Sequence, residues 1–315
     1  MAMSATSHLV TSLALCAGLA GALATPAAGQ RKHAPEVNGW NPPAIAIAEQ
    51  IPSAAARADV RRQVAALIDV FRGAPTLAAP AFPIYSSVQA SFVEPPTPYE
   101  LVVRMVFYRP GMVGTAADDQ VRIQVNNPST LFDQERAQSA YTFGERELFL
   151  EPRFEKTWHG YPVNARDLII VARADRPLFR PVSVSQYIAL MTEDLKPKAR
   201  GDESGTYAGM IQKVQGKLAE LSPAQRAAPA YGCMDAVGDE DTYLCDASAP
   251  DARRLVEFNP AYWDRSLPRS AFQLLAIDRF NPERTEGLVG EALTAAWEKL
   301  DWSAFRHLLE GPARR

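Results

Sequence analysis

The residues of this chain whose types and spacing could do chemistry are two cysteines, one histidine and a run of carboxylates. Cys233 and Cys245 have eleven residues between them. An even pair at that spacing reads as one disulfide if the chain is exported, and otherwise as two free buried thiols. Closing so short a loop is worth about 2–3 kcal/mol on the chain-entropy model. A zinc site fits less well, because no C-x-x-C occurs and no histidine lies near either cysteine.

Around the pair stand Asp235, Asp239, Glu240, Asp241 and Asp246. Calcium takes several oxygen ligands from short loops, so Asp235, Asp239 and Asp241 are candidate metal ligands. The order departs from D-x-D-x-D-G, and a solvated acidic loop explains the same residues without a metal. His159 sits in Trp158-His159-Gly160-Tyr161, an aromatic, glycine-containing turn. It is the one histidine that reads as a catalytic or metal-binding candidate, although no second ligand-type residue sits at metal spacing. An ordinary turn histidine between two strands has the same signature. His33 and His307 carry no assignment.

The chain contains no G-x-S-x-G, S-x-x-K or H-E-x-x-H, and no phosphate-binding glycine pattern. No cofactor is therefore expected. The formal charge is −3, from 33 basic and 36 acidic residues. The arginines are scattered, so nothing steers the chain toward nucleic acid or an anionic membrane. Tyr262, Trp263, Trp297, Trp302 and Phe305 gather in the C-terminal third. They could line a glycan or peptide groove, or pack helices onto a sheet.

The compartment comes from residues 1–29, which hold no Asp, Glu, Lys or Arg. An apolar run from Leu9 to Ala24 ends on Ala22-Leu23-Ala24 and is followed by Ala27-Ala28-Gly29, two small-residue cleavage points. That is the layout of a cleaved export signal, though its n-region lacks a basic side chain. A retained span, a lipoprotein signal on Cys16 and an ordinary buried helix are the alternatives. Leu15 before Cys16 departs from the lipoprotein pattern. After cleavage no strong membrane association is expected.

Residues 30–52 are rich in Pro and Ala and read as an extended segment. Ser53 looks like a helix N-cap, followed by Val60, Val64, Leu67, Ile68 and Phe71 at helical spacing, with Gly73 as the C′ stop. Pro75, Pro80 and Pro83 read as a rigid connection. Alternating or β-rich runs then predict strands over 84–93, 99–108, 121–125, 147–156 and 168–172. They suggest one antiparallel sheet of about five strands.

A helix starts at Ser183 and is expected to stop at Pro197. Residues 196–205 read as a mobile loop or boundary. Helices follow from Tyr207 to Leu218 and after Ser222-Pro223. Beyond the cysteine loop come strands at 254–258 and 273–277, then helices over 286–299 and after Asp301.

The expected fold class is α+β: a mainly antiparallel sheet flanked by helices, with a helical C-terminal part. Residues 53–198 would form the helix-plus-sheet region. Residues 199–315 would form a helical region with the disulfide loop, packed with the first as one domain. The function this favours is an exported, periplasmic or secreted, non-catalytic binding protein. Its ligand would be a glycan, a peptide or another envelope component. The alternative is an exported hydrolase that uses His159 with a carboxylate such as Asp235 or Asp239.

Overall fold

The computed structural model describes residues 38–41, 43–45, 51–91, 93–110, 119–132, 140–154, 156–233, 238–280 and 287–310. Residues 1–29, read above as an export signal and containing Cys16, and the acidic residue Asp235 lie outside the described residues.

The chain enters through two short strands, β1 (Gly39–Trp40) and β2 (Ala44–Ile45), and then α1 (Ala54–Arg72). The Ser53 side chain accepts the Ala56 N–H at 3.0 Å, which satisfies a free donor of the first turn. Val60, Val64, Leu67, Ile68 and Phe71 form the buried stripe, as their spacing predicts. Gly73 ends the helix at φ −66°, so it is a right-handed C-cap and not a left-handed C′ residue. The expected proline-rich connection contains one helical turn, α2 (Pro75–Ala78), with proline at its start.

Strands β3 (Pro83–Ser91), β4 (Glu100–Phe107) and β5 (Asp119–Val125) follow. A 3-10 turn, Pro128–Leu131, leads on to β6 (Tyr141–Phe143) and β7 (Arg146–Leu150). Next come β8 (Lys156–Trp158), β9 (Tyr161–Val163), β10 (Leu168–Ala172) and β11 (Phe179–Pro181). The helices α3 (Val184–Ala199), α4 (Thr206–Glu220) and α5 (Pro223–Ala227) form one group. Strands β12 (Tyr231–Gly232), β13 (Arg253–Phe258) and β14 (Leu274–Asp278) precede α6 (Gly287–Lys299) and α7 (Trp302–Glu310).

The fold is α+β, but its strands build two sheets rather than the single one expected. The first runs β1-β3-β4-β5-β14-β10-β9-β8, with β2 also on β3. Its pairings are antiparallel except those of β1 and β2, which lie parallel to β3. The second runs β11-β13-β7-β6, with β12 also on β13. The run read as one strand over 147–156 breaks after Leu150. There the chain leaves the second sheet and returns to the first as β8. Strands β13 and β14 lie inside the two sheets, so each sheet draws on chain from both sides of residue 198.

Three apolar clusters show how the layers stack. Helices α1, α2, α6 and α7 cover one face of the first sheet, with Phe71, Trp297, Trp302 and Phe305 against Val103, Ile123, Ile169 and Ile277. Part of the opposite face, Leu168, Ile170, Leu274 and Ala276, meets Phe179 and Phe258 of the second sheet. Phe149 of β7 stacks on Phe132 in that layer, with centroids 4.3 Å apart. The far face of the second sheet, with Leu148 and Leu255, packs on α3 and α4 through Tyr187, Ile188, Met191 and Val214. The order of layers is helices, large sheet, small sheet, helices.

Helix α3 runs through Pro197 instead of stopping before it. Proline this close to a C-terminus forfeits one exposed backbone bond, a far smaller loss than in mid-helix. Lys198 pairs with Asp194 at 2.7 Å across the same turn. The remainder of the expected mobile loop is a compact turn. The Asp202 carboxylate accepts the N–H groups of Ser204 at 3.0 Å and Tyr207 at 2.9 Å, capping α4 behind a left-handed Gly205.

Candidate functional site

The cysteine loop is built first by its covalent link. Cys233 and Cys245 are bonded, with Cα atoms 5.8 Å apart. The Cys245 N–H also bonds the Tyr231 carbonyl at 2.9 Å, which ties the loop's end to β12. Two tyrosine hydroxyls reach into the loop from below. Tyr187 of α3 donates to the Thr242 carbonyl and Tyr141 of β6 to the Tyr243 carbonyl, both at 2.8 Å. Burial pushes the Tyr187 phenol well above its ordinary pKa, so it remains a hydrogen-bond donor throughout the accessible pH range. Gly238 is obligatory: a Cβ there would land on the Tyr243 carbonyl.

Asp239, Asp241 and Asp246 are taken up by the loop and by α4. Asp239 Oδ1 accepts the N–H groups of Asp241 at 3.1 Å and Thr242 at 3.0 Å. Its Oδ2 meets Lys217 Nζ at 3.0 Å. Lys217, helped by the Thr242 and Asp241 donors, holds the Asp239 carboxyl at a pKa of about 2. Asp241 pairs with Lys213 at 3.2 Å, one helical turn from Lys217. Asp246 accepts the Ser248 N–H and hydroxyl at 2.8 and 2.6 Å. Among the described residues, no three His, Cys, Asp or Glu side chains come together as a metal site. The carboxylates proposed as ligands, Asp239 and Asp241, instead carry lysine partners.

The loop forms one wall of a groove of about 480 Å³. Val184 and Ile188 of α3, Leu221 and Pro229 beside α5, and Leu244 and Cys245 of the loop give it an apolar lining. Glu220, Lys217, Asp239 and Asp246 stand on its rim. With Lys217 and Asp239 paired, Glu220 and Asp246 leave the rim negative.

His159 stands elsewhere. It is the first residue of the two-residue turn joining β8 to β9, with φ +46°, followed by Gly160 at +83°. Two left-handed residues match the right-handed twist of a tight hairpin. The imidazole lies parallel to the buried Trp302 indole, 6.0 Å between centroids, and is exposed to solvent. Among the described residues it makes no hydrogen bond and no ion pair, and it lines neither cavity.

The aromatic residues divide into two sets. Trp297, Trp302 and Phe305 are buried under the first sheet and pack it. Trp263 is half-buried and lines a second, smaller cavity of about 290 Å³ where the two sheets meet. Phe258, Pro96, Pro128 and Pro260 share that lining, with Thr97, Glu100 and Arg265 as its polar groups. Burial raises the Glu100 carboxyl above its ordinary pKa.

Comparison with protein-family models, with curated proteins and with solved structures finds no match to this chain. Among the described residues no helix is long and apolar enough to cross a membrane. From sequence Tyr187 reads only as part of the apolar stripe of α3, and the anchors Tyr141, Lys213 and Lys217 are not singled out. Only the i, i+4 spacing of the two lysines hinted that one face of α4 meets acidic residues. Glu100 gave no signal, because Phe258, Pro260, Trp263 and Arg265 of its surroundings come from the far end of the chain.

Proposed function

We propose that this is an exported, non-catalytic binding protein whose ligand groove lies between α3, α5 and the disulfide loop. The observation that carries the reading is the construction of that groove. A wall held by a disulfide and two tyrosine hydroxyls is pre-organised, which lowers the ordering cost of binding. Asp239 is already spent on Lys217, and Glu220 and Asp246 give the groove charge to set beside its shape rather than an acid–base pair. The exposed, unpartnered His159 weighs against a hydrolase built on that residue, since a general base must reach the proton it moves.

An apolar floor under a negative rim suits a short peptide segment with apolar side chains and a basic residue. The disulfide accords with an oxidising compartment, and the apolar N-terminal run supplies the export route. Hexapeptides of Leu, Ile and Phe with one Lys, and matched peptides with one Glu, test this by fluorescence anisotropy. The Lys series should bind, and Glu220→Lys, which sets a new cation against the remaining Asp246, should abolish the preference. Equal affinity for the two series, or turnover of either, would contradict the reading.

A further inference from the structure

The cavity at the seam of the two sheets holds polar groups that the fold leaves unused. Its walls are fixed by other residues. Arg269 donates to the Thr97 carbonyl at 2.7 Å and the Val93 carbonyl at 2.6 Å, and its guanidinium lies 4.5 Å from the Tyr99 ring centre. Buried Asn126, at φ +56°, bonds the Tyr99 and Ala271 carbonyls at 3.1 and 2.9 Å and accepts the Gln273 N–H at 2.8 Å. Trp263 packs on Phe258 and Tyr262, with centroids 5.3 and 5.1 Å away. Three prolines stiffen the remainder of the lining.

Against this rigid frame stands Glu100, the first residue of β4. It is half-buried, and no hydrogen bond or ion pair holds its carboxyl among the described residues. Arg265, on the same lining, is exposed and more than 4 Å from it, since no ion pair joins them. A desolvated carboxylate with no counter-charge at ion-pair distance is an unfavourable element that a cationic ligand would complete. Trp263 offers an aromatic surface beside it, which attracts both a cation and an apolar body.

We propose that this cavity binds a small primary amine with an aromatic or aliphatic body. The ammonium pairs with Glu100 and the body lies on Trp263. About 290 Å³ suits a ligand with a single ring. The assignment is independent of the peptide groove and stands whether or not that groove binds anything. It also carries a sign in pH. Burial favours the neutral Glu100 carboxyl, whereas the ammonium requires the carboxylate, so affinity should fall as pH drops through the raised pKa of Glu100.

The test uses phenethylamine, its neutral counterpart phenethyl alcohol, and methyl glucoside, titrated calorimetrically into the full chain. Phenethylamine should bind at pH 7. Glu100→Gln should weaken it more than about tenfold, the scale of one charge-assisted hydrogen bond. Phenethyl alcohol should bind correspondingly less well and without pH dependence. Trp263→Leu, checked for an unchanged circular dichroism spectrum, should weaken the amine as well. Equal binding of amine and alcohol, indifference to Glu100→Gln, or binding of the glucoside in place of the amine would overturn the proposal.

Discussion

Replacing both cysteines by serine should cost this protein about 3 kcal/mol without dismantling the groove. The disulfide closes a sequence separation of 12. The entropy removed from the unfolded chain by a loop of that size amounts to about 3 kcal/mol at 25 °C. In the folded state the loop keeps its other anchors: the Tyr187 and Tyr141 hydroxyls, the Cys245 amide on Tyr231, and Lys217 on Asp239. The loss therefore acts through the unfolded state, and native spectra should change little. Urea unfolding followed by tryptophan fluorescence is the assay. With a urea m value of about 3 kcal/mol/M, the midpoint should fall by about 1 M, with m rising slightly as the unfolded chain loosens. A shift under about 0.3 M would mean that the link does not constrain the unfolded chain, and the reasoning would fail. Loss of native near-UV dichroism in the variant would refute the claim that these anchors hold the loop without the disulfide.

Three further outcomes follow from the same geometry. Tyr187→Phe leaves the Thr242 carbonyl without its buried donor and should cost about 1–3 kcal/mol by urea unfolding, more than Tyr141→Phe, whose hydrogen bond is exposed. The folded pKa of Asp239, about 2, lies below its ordinary 3.8, so its contribution is complete above pH 4 and is lost as pH falls toward 2; Asp239→Asn should flatten that part of the stability–pH curve, measured by thermal melting between pH 5 and 2. Protein recovered from its native cells should begin after Ala24 or Gly29 and show no free thiol at Cys233 or Cys245 by non-reducing peptide mapping; an intact Met1 on a thiol-reduced chain would contradict export.

Much of the layering was legible in the sequence because burial leaves a pattern. β4 alternates buried and half-buried residues, the mark of a strand covered on one side. β10 and β14 read instead as unbroken apolar runs, LIIVA and LLAI, and both lie where helices cover one face and the second sheet the other. That contrast pointed to two covered faces, but the expectation of one sheet did not use it. Whether residues 147–156 form one strand or two was not legible. The break after Leu150 is decided by which sheet offers partners, a long-range matter that local propensity does not encode.

The candidate site was legible only in part. The cysteine pair and its acidic loop were visible from spacing and composition. The fate of the carboxylates was not, because Lys213 and Lys217 approach them only after α4 packs against α3. His159 shows the opposite case. Its aromatic surroundings suggested chemistry, yet its position in the β8–β9 hairpin is explained by the left-handed turn it shares with Gly160 and by its contact with Trp302.

The central claim is that the disulfide loop and helices α3 to α5 form a ligand groove. Hydrogen exchange of the oxidised protein, with and without a saturating Lys-bearing apolar hexapeptide, tests it most directly. The account expects added protection over 221–231 and 239–247, and unchanged exchange around 156–163. Protection at the His159 hairpin with none at the groove, or no change anywhere on the chain, would contradict it.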